Sequence, residues 1–80
     1  MKVQVLIRLK AGVLDVQGKA VEHGLQGVGY SDIGAVRIGR LVELEVEGVN
    51  FENVKKRTEE ICKKVLANPL IEHYEIRQAA

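Results

Sequence analysis

The run from Ala35 to Glu47 constrains the fold of this 80-residue chain more than any other segment. Its apolar side chains share one parity: Val36, Ile38, Val42, Leu44 and Val46. Its other parity is charged: Arg37, Glu43, Glu45 and Glu47. Because successive side chains of a strand point to opposite faces, this alternation predicts one strand. Gly39-Arg40 interrupts the pattern, and a glycine inside a strand is typical of a bulge or a bend.

A strand of that length exceeds what one small protomer can pair. At about 3.3 Å per residue, Ala35 to Glu47 spans roughly 40 Å. A compact chain of 80 residues has a radius of gyration near roughly 12 Å. Since an unpaired apolar edge invites pairing with another chain, we expect a dimer whose sheet is shared through the bent middle strand.

The remaining elements follow from periodicity and capping residues. Residues 2–10 alternate and predict a first strand. Asp15 is a suitable N-cap for a helix from Val16 to about Val28. The apolar stripe of that helix is Ala20, Val21, Leu25 and Val28.

Asn50 is a suitable N-cap for a second helix, which Asn68-Pro69 ends. Its apolar stripe is Phe51, Val54, Ile61, Cys62, Val65 and Leu66. Two i,i+4 ion pairs are expected on its outer face: Glu59 with Lys63, and Glu60 with Lys64. A last strand from Leu70 to Arg77 completes the order β-α-β-α-β, an α+β two-layer sandwich.

Composition excludes several classes of function. A formal net charge of +1 argues against a nucleic-acid binder, which normally carries a clustered positive excess. No run of 18 or more apolar residues exists, so no membrane span is expected. Cys62 is the single cysteine, and the N-terminus lacks a signal-peptide pattern. These features predict a cytoplasmic protein.

Few residues suit catalysis. His23 and His73 are isolated and predicted to lie at the surface, whereas Cys62 is predicted to be a small core residue. No catalytic set, metal site or cofactor motif has a recognisable spacing. Arg37 and Arg40 flank Gly39, and two roles stay open for them. They are solvated charges that protect an edge from aggregation, or donors at a protein or phosphate interface.

Four short motifs occur in order along the chain: Leu14 to Gly18, Gly29-Tyr30, Val36 to Arg40, and Leu66 to Tyr74. Together they resemble the PurS family, the small subunits of phosphoribosylformylglycinamidine (FGAM) synthase. The resemblance covers nearly the whole chain and implies a single PurS-like domain over residues 1–80.

The resemblance implies a role in de novo purine (IMP) biosynthesis. In that family the glutaminase subunit (PurQ) releases ammonia from glutamine. The synthetase subunit (PurL) uses ATP and Mg²⁺ to convert formylglycinamide ribonucleotide (FGAR) to FGAM. The small subunit is implied to be non-catalytic, to bind no cofactor, to form dimers or tetramers and to bridge the two larger subunits.

The same resemblance points to partner-interface residues. They are Asp15, Gln17, Gly18, Arg37, Gly39, Arg40 and Asn68. One departure is Val16, where the family usually has proline; because proline presets φ in a first helical turn, Val16 is expected to loosen that turn. The alternative is a ferredoxin-like regulatory domain that binds a metabolite. That fold would need a hairpin between two middle strands.

Overall fold

The computed structural model describes residues 1–79. Its elements are β1 (Lys2–Leu9), α1 (Val16–Gly27), β2 (Arg40–Glu45), α2 (Phe51–Ile61) and β3 (Glu72–Gln78). One π-helical segment, Cys62–Leu66, extends α2 and is called the π-turn below. The predicted α+β class and the order β-α-β-α-β are confirmed. No helix in residues 1–79 has both the length and the apolar character that crossing a membrane requires.

The sheet has β1 at its centre, in the order β2-β1-β3, with both pairings antiparallel. Val5 lies opposite Val42 on one side and Ile76 on the other. Alternate β1 residues point toward α2, and Val3, Val5 and Ile7 are at most 1% exposed. The core is therefore a single layer of aliphatic side chains between the sheet and α2.

Two clusters make up this core. The first contains Val3, Val46 and Val54. The second contains Val5, Ile7 and Cys62, with Tyr74 and Ile76 of β3 packed against it. The prediction that Cys62 is a core residue is confirmed.

The topology differs from that of the ferredoxin-like alternative. Within residues 1–79 a single strand, β2, lies between α1 and α2. That alternative needs two antiparallel middle strands from one chain. The observed order therefore argues against it.

The predicted length of the middle strand is wrong. β2 covers only Arg40–Glu45, and residues 35–39 form an irregular crossing segment that passes the start of α1. Ala35 has φ = 54°, in the left-handed region. The amides of Val36 and Ile38 bind side-chain carboxylates of α1 and its cap in place of a neighbouring strand. The strand-length argument for a dimer therefore fails.

The protomer covers little of α1. Gly18 is the one buried residue of this helix, and its apolar stripe is not buried in the core. Val16 and Val28 are each 71% exposed. The radius of gyration is 15.9 Å and the molecule measures 48 × 28 × 14 Å, well beyond the roughly 12 Å of a compact chain of this length. Within residues 1–79 the protomer thus leaves the apolar stripe of α1 largely uncovered, which is a reason to expect association that does not depend on strand length.

The π-turn changes the end of the second helix. Val65, predicted on the apolar stripe, is 78% exposed. A π-helical segment has i→i+5 bonds, so it shifts the side chains that follow relative to α-helical spacing. The predicted pairs of Glu59 with Lys63 and Glu60 with Lys64 are also absent from the ion pairs of residues 1–79.

Candidate partner interface

Two polar junctions hold the ends of the elements together, and they contain most of the predicted interface residues. At the first junction Asp15 is 6% exposed and caps α1. Its Oδ1 accepts from the Gly18 amide at 2.8 Å, and its Oδ2 accepts from the Ile38 amide at 2.7 Å. One carboxylate thus fixes both the start of α1 and the crossing segment.

Arg37 closes the first junction from outside. Its Nη1 donates to the Val13 carbonyl at 3.0 Å and its Nη2 to the Lys10 carbonyl at 3.2 Å. Its Nε lies 4.0 Å from Asp15 Oδ2. The guanidinium therefore ties the β1–α1 loop to the crossing segment, and its side chain stays 45% exposed.

The second junction joins β2, the π-turn and β3. Arg40 Nη2 donates to both carboxylate oxygens of Glu72 at 3.0 Å and to the Leu66 carbonyl at 2.9 Å. Glu72 Oε1 also accepts from the Asn68 amide at 2.8 Å. Asn68 Oδ1 accepts from the Leu70 amide at 3.0 Å, which fixes the turn before β3. Arg40 stands at a position where the alternation of its strand expects an apolar side chain. The ion pair with Glu72 compensates the positive charge that Arg40 places there.

Two glycines permit close backbone contacts at these junctions. A Cβ on Gly18 would lie 2.3 Å from the Val36 carbonyl oxygen. A Cβ on Gly39 would lie 2.6 Å from the Ile7 carbonyl oxygen. Both distances are shorter than real Cβ contacts, so any larger residue would displace the crossing segment.

Among the predicted interface residues, Gln17 stands apart. It is exposed on the first turn of α1, and its side chain makes no hydrogen bond among residues 1–79. The other predicted residues make contacts within the protomer. A role for any of the seven in binding a partner stays a prediction, but the structure gives six of them a role in folding.

The electrostatics of both junctions favour ionised carboxylates. The amides of Ile38 and Gly18, and then Arg37, hold the pKa of Asp15 below its usual value. The Asn68 amide, and then Arg40, lowers the pKa of Glu72. The Val36 amide lowers the pKa of Glu22, whose Oε1 accepts from that amide at 3.5 Å. Each junction therefore depends on a negative charge bound to backbone amides.

Sequence reasoning missed Glu22 and Glu72 as junction residues. Glu72 lies inside the Leu66–Tyr74 motif, so that motif was an available signal for it. Glu22 has no such signal, because its partner amide at Val36 is far along the chain.

A cleft of about 320 Å³ opens beside the first junction. Apolar side chains form part of its wall, and Asp15, Lys19, Glu22 and Arg37 supply its charges. No group of three or more His, Cys, Asp or Glu side chains in residues 1–79 is arranged to hold a metal ion. Among the residues that the structure describes, no Ser, Thr, Cys or His side chain lines this cleft.

Comparison with known proteins decides the family. The family model of PurS, described as phosphoribosylformylglycinamidine (FGAM) synthase, matches residues 2–80. The chain belongs to the PurS family. The PurS subunit of Bacillus subtilis FGAM synthase is 42% identical over 73 residues, which cover 91% of this chain and 86% of that protein.

Solved PurS structures share the fold. Methanocaldococcus jannaschii PurS superposes with a TM-score of 0.86 at 39% identity, covering 95% of this chain and 92% of that one. A chain in the structure of PurLQS from Thermotoga maritima gives a TM-score of 0.85 at 29% identity, covering 95% and 93%. The resemblance carried by the four motifs is confirmed.

Proposed function

We propose that this chain is the small, non-catalytic PurS subunit of FGAM synthase and acts in de novo purine (IMP) biosynthesis. The complete enzyme converts FGAR to FGAM with ATP and glutamine. The observation that supports this proposal most strongly is the PurS family match over residues 2–80, which is nearly the whole chain. The likeness to a chain of the T. maritima PurLQS structure supports PurL and PurQ as its partners.

The surface of the protomer supports an assembly role. Large apolar side chains around α1 are strongly exposed: Leu14, Val16, Val28 and Tyr30. Leu14 and Val16 lie at the start of α1, and Val28 and Tyr30 lie just beyond its end. Exposed large apolar side chains grouped around one element are typical of protein interaction sites. We therefore assign this surface to contacts with further copies of the chain, in a dimer or tetramer, and with the larger subunits.

The division of labour has a chemical reason. Ammonia released into water would be protonated and lost before it reached a second active site. Two coupled active sites therefore benefit from a sealed and fixed geometry between them. A bridging subunit can provide that geometry without a catalytic group. ATP and Mg²⁺ are assigned to the complex and not to this chain, and the assembled enzyme to the cytoplasm.

Glutamine-dependent turnover tests the proposal. The variant Arg37→Ala/Arg40→Ala should weaken assembly with PurL and PurQ and reduce FGAM formation from glutamine. Ammonia-dependent turnover by PurL should fall less, because it does not need the glutaminase. Arg77→Ala is a control, since Arg77 is 54% exposed and, within residues 1–79, its guanidinium pairs with Glu75 alone.

Both arginines also support the fold, so the double variant needs a thermal melt beside the activity assay. Loss of glutamine-dependent turnover in a folded variant supports an interface role. Unchanged glutamine-dependent turnover refutes that role for the two arginines. A wild-type chain that neither binds PurL and PurQ nor stimulates their reaction refutes the proposed function itself.

A further inference from the structure

One side of α1 is exposed and carries no charge. Residues three or four positions apart are neighbours on a helix surface, so the exposed uncharged residues of α1 form one continuous face. This face, called the uncharged face below, consists of Val16, Gln17, Ala20, Val21, Gly24, Gly27 and the C-cap Val28. The exposed residues outside it are polar: Lys19, His23 and Gln26. Gln17, the predicted interface residue without a side-chain contact in the protomer, therefore lies on the uncharged face.

The other side of α1 meets the crossing segment, which covers little of the helix. Gly18 is the one buried residue of α1, and Glu22 and Leu25 are half-buried. The tie between the helix and the crossing segment is polar, because Glu22 Oε1 accepts from the Val36 amide. The protomer therefore buries little apolar surface when α1 forms.

Helix α1 is also weak by its own sequence. It has 12 residues, and isolated helices shorter than about 12–15 residues are marginal in water even when they are rich in alanine. Gly18 and Gly24 lie within it, and glycine weakens a helix relative to alanine. No basic side chain lies in its last turn to compensate the helix dipole. An element with so few buried apolar contacts opens locally at low free energy unless something covers it.

We propose that α1 becomes ordered through self-association: its uncharged face packs against α1 of a second copy about a two-fold axis, and α1 unfolds locally when the copies separate. The proposal rests on the self-association proposed above for this surface, and it adds the coupling between that contact and the order of α1. The sheet and α2 share a core of their own, so they stay folded in the separated protomer.

Charge favours a second copy as the occupant. In a two-fold contact the same surface of both copies is buried, and a face without charge brings no like charges together. Two α1 helices related in this way run antiparallel, so the N-terminal end of one dipole lies beside the C-terminal end of the other. That arrangement compensates the last turn of α1, where basic side chains are absent. Contacts between identical copies are also more apolar than contacts between different proteins, which suits this face.

Two variants with the same chemical change test the contact. Gln17→Glu places a carboxylate on the uncharged face, and Gln26→Glu, nine positions or two and a half turns further on, places one on the opposite side. The helix dipole alone favours Glu in the first turn and disfavours it in the last, so it predicts that Gln17→Glu gives the more stable helix. The proposed contact predicts the reverse order for self-association, because each copy would bury a carboxylate against apolar side chains.

Sedimentation of each full-length chain across a dilution series measures the Kd of self-association. Gln17→Glu should raise this Kd by about tenfold or more, as at a central interface residue, and Gln26→Glu should raise it less. The Gln17→Glu chain also supplies the separated protomer if the wild type stays associated at every working concentration.

Hydrogen exchange followed by mass spectrometry tests the coupling in the same samples. Above the Kd the amides of α1 should be protected. Below the Kd their exchange should accelerate by about tenfold more than that of the β1 and α2 amides, because only α1 opens. At a concentration where wild type and Gln26→Glu keep α1 protected, Gln17→Glu should lose that protection.

Equal protection of α1 above and below the Kd overturns the coupling. A Kd for Gln17→Glu at or below that of Gln26→Glu overturns the helix contact, as does a wild-type chain that stays monomeric with α1 protected. Protection of α1 that rises only when purified PurL or PurQ is added assigns the uncharged face to that subunit and also overturns the proposal. Binding of PurL and PurQ by the wild-type chain is measured separately, and its failure refutes the proposed function instead.

Discussion

A pair of glycine substitutions in α1 should shift stability in opposite directions. In Gly18→Ala the new Cβ would lie 2.3 Å from the Val36 carbonyl oxygen and 2.7 Å from Asp15 Oδ2. An ordinary contact needs about 1 Å more, so the crossing segment or the capping carboxylate must move. In Gly24→Ala nothing lies within 4 Å of the new Cβ.

The magnitudes follow from these distances. One of the clashing atoms is a backbone oxygen at 2.3 Å, so the upper part of the overpacking range applies, about 2–3 kcal/mol, and a helical Gly-to-Ala change returns about 1 kcal/mol of it. Gly18→Ala should therefore lose about 1–2 kcal/mol of unfolding free energy. Gly24→Ala should gain about 0.5–1 kcal/mol, because alanine restricts the unfolded chain and favours the helix. The two variants should differ by about 1.5–3 kcal/mol.

Thermal denaturation followed by circular dichroism measures this difference. For a domain of this size about 1 kcal/mol corresponds to roughly 4–8 °C in Tm, so the two melting curves should be clearly separated. All samples need the same protein concentration, because self-association makes the Tm depend on it. Equal Tm values for the two variants, or a higher Tm for Gly18→Ala, would show that the crossing segment leaves room for a Cβ at position 18.

Two further predictions concern titration and reactivity. Backbone amides lower the folded pKa of Asp15, so its stabilisation is present above the unfolded pKa of about 3.9 and is lost as pH falls through the folded pKa. The Tm difference between wild type and Asp15→Asn should be large at about pH 7 and shrink below about pH 4, and a constant difference would contradict this. Cys62 is fully buried and burial raises the pKa of its thiol, so a thiol reagent such as DTNB should label it only when urea unfolds the chain. Rapid labelling of the native protein would contradict the core position.

Local sequence signals predicted the elements well. The alternation of residues 2–10 gave β1, and Asp15 and Asn50 cap the helices as expected. These features depend on neighbours in the sequence, so a single chain contains the information. The family and its function also followed from four short motifs.

Long-range contacts explain the failures. The alternation of residues 35–47 is real, but Asp15 and Glu22 bind two amides of that segment and keep it out of the sheet. Periodicity identified the apolar stripe of α1, but it cannot say whether the same chain covers that stripe. The bond from Arg40 to Glu72 joins residues 32 positions apart, and no spacing rule connects them.

The position of β1 at the centre of the sheet affects how the protein is made. The ribosome synthesises β1 well before its neighbour β3, since Val3 lies opposite Gln78. Contacts so distant in sequence form slowly, and apolar segments stay uncovered until they do. The sheet can therefore close only after β3 has left the ribosome, so a truncated chain that lacks β3 should remain unfolded and be removed by proteases.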